Sequence, residues 1–229
     1  MGEGVTEQYR SAEDLPDVLP VFPLRGAILL PRVPLMLNVF EPRYLALVDF
    51  ALASDRLIGV VQPGNETGDG ESPRGKSFPL RRVGCVGRIT AFNENDDGRV
   101  MISLFGICRF DIKGEAGSDH PFRICQISYG AYVTDFLGGY GEDDVDRPKL
   151  IATLRSYLTA NNLNADWDRI NSATNERLVN MLSILSPYGP EEKQALLEAP
   201  DLKARSEALV ALAEMELAAR DDGSGTSLQ

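Results

Sequence analysis

Residues 19–55, LPVFPLRGAILLPRVPLMLNVFEPRYLALVDFALASD, constrain the fold more than any other stretch. An apolar run broken by Pro20 and Pro23 turns at Arg25-Gly26. A second apolar segment, Leu35 to Phe40, follows Pro31 and Pro34. Glu41-Pro42-Arg43-Tyr44 then starts a helix, because proline's fixed φ suits the first helical position and its missing N–H costs nothing there. Tyr44, Val48, Ala51 and Leu52 recur at helical spacing, with Leu45 and Leu47 widening the stripe. Strand, proline-rich turn, strand and helix predict a compact β-rich start closed by one helix.

The β character continues. Leu57 to Gln62 reads as a short buried strand, and Pro63 to Pro79 as a Gly/Pro/Ser-rich loop. Arg82 to Phe92 alternates with Val83, Cys85, Gly87 and Ile89 on one face. Asn93 to Gly98 supplies a hairpin turn, and the return strand starts at Arg99, bends at Phe105-Gly106 and resumes through Ile112. Phe122 to Tyr129 forms a further strand, extended by Tyr132-Val133. About six short strands predict a small antiparallel barrel or sandwich. After Gly138 the periodicity becomes helical: Asp146 caps a helix carrying Leu150, Leu154 and Tyr157, and Ser172 or Thr174 caps the next. Glu191 to Ala199 and Asp201 to Arg220 are the last two helices.

The opening stretch, through Phe22-Pro23-Leu24, Pro31, Pro34-Leu35 and Phe40-Glu41-Pro42-Arg43-Tyr44, closely resembles the start of the amino-terminal, substrate-binding domain of the Lon ATP-dependent proteases. A second piece, PYGPEEKQALLEAPDLKARSEAL, matches around Glu192-Lys193-Gln194 and Leu196-Leu197-Glu198, so the resemblance runs from about Val18 to about Leu217. It implies an α+β fold: a PUA-like small antiparallel β-barrel or pseudo-barrel with one inserted helix (18–134), then a helical subdomain (135–220), with tails at 1–17 and 221–229. It implies a module that engages unfolded or tagged polypeptides, or a protein partner, in an adaptor or chaperone-like role. Nothing in the chain resembles the ATPase module or the Ser–Lys protease, so no enzymatic activity is expected. Recognition could use an exposed strand edge or an apolar groove. From the signature, Arg25, Phe40, Glu41, Arg43 and Tyr44 are the candidate contacts. The competing roles are an internal Glu41–Arg43 ion pair or cap, and core packing for Phe40 and Tyr44.

Charge and composition narrow the other possibilities. The chain of 229 residues carries a net charge of −11, with 17 acids against 9 bases from Asp135 onward. Nucleic-acid binders need a positive face, and the only local cluster is Arg81, Arg82 and Arg88 around a strand, so a nucleic-acid partner is disfavoured. No apolar run reaches the length of about eighteen residues that spans a bilayer, so no membrane partner is expected. The acidic start MGEGVTEQYRSAEDLPD lacks signal-peptide character and, despite Met1-Gly2, a myristoylation pattern, which predicts a cytoplasmic protein. There the Asn65-Glu66-Thr67 sequon has no meaning.

Catalytic chemistry finds little support. Cys85, Cys108 and Cys125 lack disulfide or zinc spacing, and one histidine, His120, beside Asp119 and Pro121, reads as a surface residue. No metal or other cofactor is expected. Gly70-Glu71-Ser72-Pro73-Arg74-Gly75-Lys76-Ser77 matches the GxxxxGK[ST] phosphate loop literally. A working loop follows a strand directly and opens a helix, whereas here the strand ends near Gln62 and Pro79 would remove an amide from the first turn. The Asp96-Asp97 and Asp143-Asp144 pairs are turn residues.

Overall fold

The structure, a computed structural model, describes residues 8–64, 78–96 and 98–224. The phosphate-loop match at 70–77 and the sequon lie outside the described residues. Six strands, β1 (Val18–Pro23), β2 (Pro34–Val39), β3 (Leu57–Pro63), β4 (Leu80–Glu94), β5 (Val100–Ala116) and β6 (Arg123–Ser128), form one sheet. Helix α1 (Pro42–Leu52) lies between β2 and β3. The strand order is β2-β5-β4-β3-β1-β6, and an additional β5–β6 pairing closes five strands on themselves. Strand β2 stays outside that ring, and among the described residues it pairs with β5 alone.

The sheet departs from the antiparallel expectation at one place, where β1 and β3 run parallel. Parallel neighbours require a crossover of a dozen or more residues, and the chain through β2 and α1 supplies it. This also explains why α1 is amphipathic: Tyr44, Leu47, Val48 and Ala51 are buried while Asp49 and Phe50 face outward.

Closure depends on β5, whose 17 residues serve two neighbours in turn. Pro34–Val39 pairs with its first part, and β6 with its last. Between them the strand turns at Gly106, as the Phe105-Gly106 pair predicts, and the β4 register skips Ile107. A Cβ on Gly106 would lie 1.9 Å from the Leu30 carbonyl oxygen, so only glycine lets segment 30–33 cross the bend. That segment is fastened by Gly106 N–H to the Val33 carbonyl and Arg32 N–H to the Gly106 carbonyl (3.1 and 2.9 Å). Inside the ring, Phe110 is wholly buried among Leu19, Val21, Val61, Val86, Cys108 and Cys125.

Two compact units emerge. The first combines the described residues up to Gly138 with Tyr188–Leu197. Helix α5 (Pro190–Glu198) therefore belongs with the sheet. It is held by Gln62, whose side-chain amide donates to the Pro190 carbonyl (2.8 Å) and to Gln194 Oε1 (3.0 Å) while its oxygen accepts Gly26 N–H (2.9 Å). Gln194 in turn donates to the Val83 carbonyl. The second unit contains α2 (Arg147–Ala160), α3 (Trp167–Ser172), α4 (Asn175–Leu185) and α6 (Leu202–Ser224), with α2 and α4 packed on α6. Asp146 and Thr174 cap α2 and α4 as their positions predict.

Tyr132-Val133 does not extend β6. Residues Gly130–Phe136 form a 3-10 segment instead. The cause is a buried ion pair: Asp135 receives Arg109 through Nε (2.9 Å) and Nη2 (2.8 Å), and its carboxylate also accepts the Arg109 backbone N–H. Arg109 Nη1 donates to the Leu197 carbonyl at 3.2 Å, and its guanidinium stacks 4.6 Å over the Tyr132 ring. Burial alone would depress the Arg109 pKa, but the hydrogen bonds and charge of Asp135 outweigh it and raise it. Removing one member of such a pair strands the other charge. Asp135→Ala should therefore lower the unfolding free energy by about 3–5 kcal/mol in urea titrations. A loss below about 1 kcal/mol would show the pair to be dispensable.

Candidate functional site

Besides the stretch of β4 beyond Ile89, which β3 does not reach, the open side of the sheet is the edge of β2. Its sequence, PLMLNV, with Phe40 after it, carries no charge. Edge strands present unpaired backbone groups, and proteins commonly guard them with lysine or other charges. Among the described residues no strand other than β5 pairs with β2, and only Pro34 guards it. Alternation places Met36, Asn38 and Phe40 towards one face, and register puts Met101 of β5 opposite Asn38. Met36, Phe40 and Met101 are 68%, 62% and 42% exposed. On the other face Leu35 and Leu37 are half-buried, and Phe92 of β4 lies in the Leu37–Ile102 row, half exposed. An extended segment laid along this edge would meet main-chain partners and apolar side chains on both faces.

Four of the five signature residues gather where β2 enters α1. Phe40 is exposed, so the core role does not hold for it; the chain turns out of the sheet after Val39 and leaves the ring in solvent. Arg43 Nη2 and Glu41 Oε2 form an ion pair at 2.7 Å, about half exposed on both sides, of the kind worth little to stability. Arg43 also lies 4.6 Å over the Tyr44 ring. Tyr44 is buried against Phe22, ring centroids 4.2 Å apart, and burial raises its phenol pKa although Arg43 opposes this. Arg25 is exposed in the turn after β1, next to the Gly26 amide that Gln62 holds. Met36, Met101 and Phe92 were not among the sequence candidates. The uncharged run 34–40 was a usable signal for the first, but the β5 and β4 residues follow only from the register.

Reactive chemistry is poorly served. The three cysteines are buried. Burial pushes the Cys108 thiol far up, with Asp135 adding to it, and pushes Cys125 up to about 11, so both stay protonated and weakly nucleophilic. His120 is exposed, stacked on Phe122 at 4.8 Å with Phe50 at 4.9 Å. Among the described residues no group of three or more His, Cys, Asp and Glu could hold a metal, and no helix is long and apolar enough to cross a membrane. Two of the three arginines of the basic cluster are engaged by acids: Arg81 by Glu191 and Arg82 by Asp111.

The family model of the ATP-dependent protease La (LON) substrate-binding domain matches residues 18–214. The chain belongs to this family. Curated relatives of the LON substrate-binding domain chain include the Lon protease of Flavobacterium johnsoniae, 32% identical over 121 residues, which are 53% of this chain and 14% of the relative. Lon protease 2 of Myxococcus xanthus is 27% identical over 205 residues, 87% of this chain and 24% of the relative. The chain thus spans about a quarter or less of these proteins. Two solved structures share its fold, both with TM-score 0.57. One is a Lon N-terminal domain protein from Xanthomonas campestris, 24% identical, covering 85% of this chain and 97% of that one. The other is the N-terminal domain of a Mycobacterium avium complex Lon protease, 17% identical, covering 86% and 98%. They match the mixed α+β arrangement of a six-stranded sheet followed by helices.

The second signature piece of this LON domain is packing. Leu196 and Leu197 are fully buried, and Lys193 is only 3% exposed. Desolvation pulls the Lys193 amine down to about 8 from its ordinary 10.5. A base with a depressed folded-state pKa weakens the fold when protons are available. The penalty is full below pH 8 and fades as pH rises to about 10.5. The stability difference between Lys193→Met and wild type should therefore shift in favour of wild type by roughly 1–3 kcal/mol between pH 7 and pH 10.5. A pH-independent difference in denaturation midpoints would contradict this origin.

Proposed function

We propose that this domain is a non-catalytic recognition module that holds extended polypeptide segments, in an adaptor or chaperone-like role, along the open edge of β2. The observation that carries the reading is the uncharged Pro34–Val39 edge with Met36, Phe40 and Met101 exposed beside it. Membership of the LON substrate-binding family supports a polypeptide as occupant. The ring closed by β5–β6 is compatible with the PUA-like form of barrel. Main-chain hydrogen bonds to an edge strand give affinity with little sequence demand, which suits a module that meets many unfolded chains. Glu41 and Arg43, at the end of the strand, add a polar rim.

The nucleic-acid reading has less behind it. Net charge is −11, and Arg81 and Arg82 are committed to acids. Backbone-phosphate binding needs uncompensated cations.

The test is a titration of a permanently unfolded, carboxymethylated reporter protein against wild type, Met36→Lys and Phe40→Lys. Both side chains are exposed, so the melting temperature should hardly move. Each substitution removes an apolar contact worth on the order of 1.5–3 kcal/mol and guards the edge with a charge, so affinity should fall by about tenfold or more. Unchanged affinity in both variants would remove the β2 edge from the account.

A further inference from the structure

A cleft of about 520 Å³ lies in the first unit, on the side of the barrel where β3 begins. One wall is the segment carrying Tyr9, Glu13 and Asp14, and the other is built by Asp55, Arg56 and Arg88. Its size falls within the range of small-ligand sites.

The two arginines are brought together by strand pairing. Ile89 N–H donates to the Arg56 carbonyl at 2.8 Å, and Leu57 stands opposite Arg88 in the register. Arg56 is held at φ 61°, a left-handed backbone that disfavours side chains with a Cβ. Its guanidinium has no hydrogen bond or ion pair among the described residues. Arg88 Nη1 donates to the Tyr9 hydroxyl (2.9 Å) and the Asp55 carbonyl (3.2 Å), leaving Nε and Nη2 without an acceptor among the described residues. The contrast with other arginines of the barrel is sharp: Arg81, Arg82, Arg109 and Arg123 each meet a carboxylate. In a chain of net charge −11, two arginines line a cavity and neither is ion-paired with an acid among the described residues.

The cleft's acids narrow the ligand. Asp14 is turned towards its own backbone, accepting the Arg10 and Ser11 N–H groups, which hold its carboxyl below the usual range. Glu13 and Asp55 are exposed and line the same cleft, so they oppose a polyanion. A single carboxylate on an uncharged chain meets the least repulsion from these acids of any anion, and planar guanidinium forks match one carboxylate well.

We propose that this cleft receives the free α-carboxylate end of a bound polypeptide, with Arg56 and the unoccupied edge of Arg88 as its anchors. The inference rests on the polypeptide-binding reading and adds to it a second contact point that reads a chain terminus. It predicts a preference for segments that end in a free acid over internal segments of the same composition.

The experiment compares one fluorophore-labelled, N-acylated apolar peptide ending in leucine with its C-terminal amide, on wild type and Arg56→Gly. Glycine at φ 61° removes the guanidinium and relieves the backbone, so lost binding would not come from misfolding. Wild type should bind the acid about tenfold or more tighter than the amide, and the ratio should fall to near one in Arg56→Gly. Equal affinity for acid and amide in wild type would overturn the inference. So would a ratio unchanged in Arg56→Gly. N-acetyl-leucine competing as well as the peptide acid would reassign the cleft to small carboxylic acids and overturn the polypeptide-end assignment. The unfolded reporter separates the two readings: if it binds at β2 while the acid/amide ratio is one, only this inference fails.

Discussion

The Arg109–Asp135 pair is the contact around which the first unit is arranged. Arg109 sits in β5 just beyond the Gly106 bend, 2% exposed, and engages two separate pieces of chain. Asp135 and Tyr132 anchor the 3-10 segment after β6, and the Leu197 carbonyl anchors the end of α5. A buried guanidinium is tolerated only if its donors find acceptors, so burial and hydrogen bonding enforce one arrangement of these segments. Gln62 repeats the logic with an uncharged group, holding the start of α5 to the Gly26 turn. Polar groups thus fix where the connections go, while Phe110 and its aliphatic neighbours fill the ring.

Closing the ring has a consequence for function. A five-stranded ring has no free edge, but β5 is longer than closure needs, and its first part carries β2 as an extra strand. In that extension the end of β4 beyond Ile89 carries one unpaired side and β2 carries the other. Because the sequence there is PLMLNVF, the edge is apolar and unguarded by charge, while most of the chain's charge sits elsewhere. The same stretch makes the crossover between parallel β1 and β3, so the proposed recognition surface and the topology share residues.

Much of this was legible in the sequence, for definable reasons. Alternation in RVGCVGRITAF and Pro42 at a helix start are local signals, and the corresponding elements are present, whereas the turn expected from Asn93 starts only after Glu94, with which β4 ends. The bend at Gly106 was legible because glycine in a strand has few other uses. What failed depended on contacts between distant residues. Tyr132-Val133 look like strand, yet Asp135 is drawn to Arg109, 26 positions earlier, and the backbone curls. The parallel β1–β3 pair is invisible without knowing which strands meet. Phe40 resembles a core residue by type and is exposed by position. The part played by Met101 beside Asn38 exists only in the register.

Amide hydrogen exchange on the uniformly labelled domain, with and without saturating unfolded polypeptide, tests the central claim most directly. The outward-facing amides of β2, those not bonded to β5, should exchange freely alone and become protected in the complex, while amides of β1 and β3 stay unchanged. Protection confined to the helical second unit, or binding with no change along β2, would contradict the account.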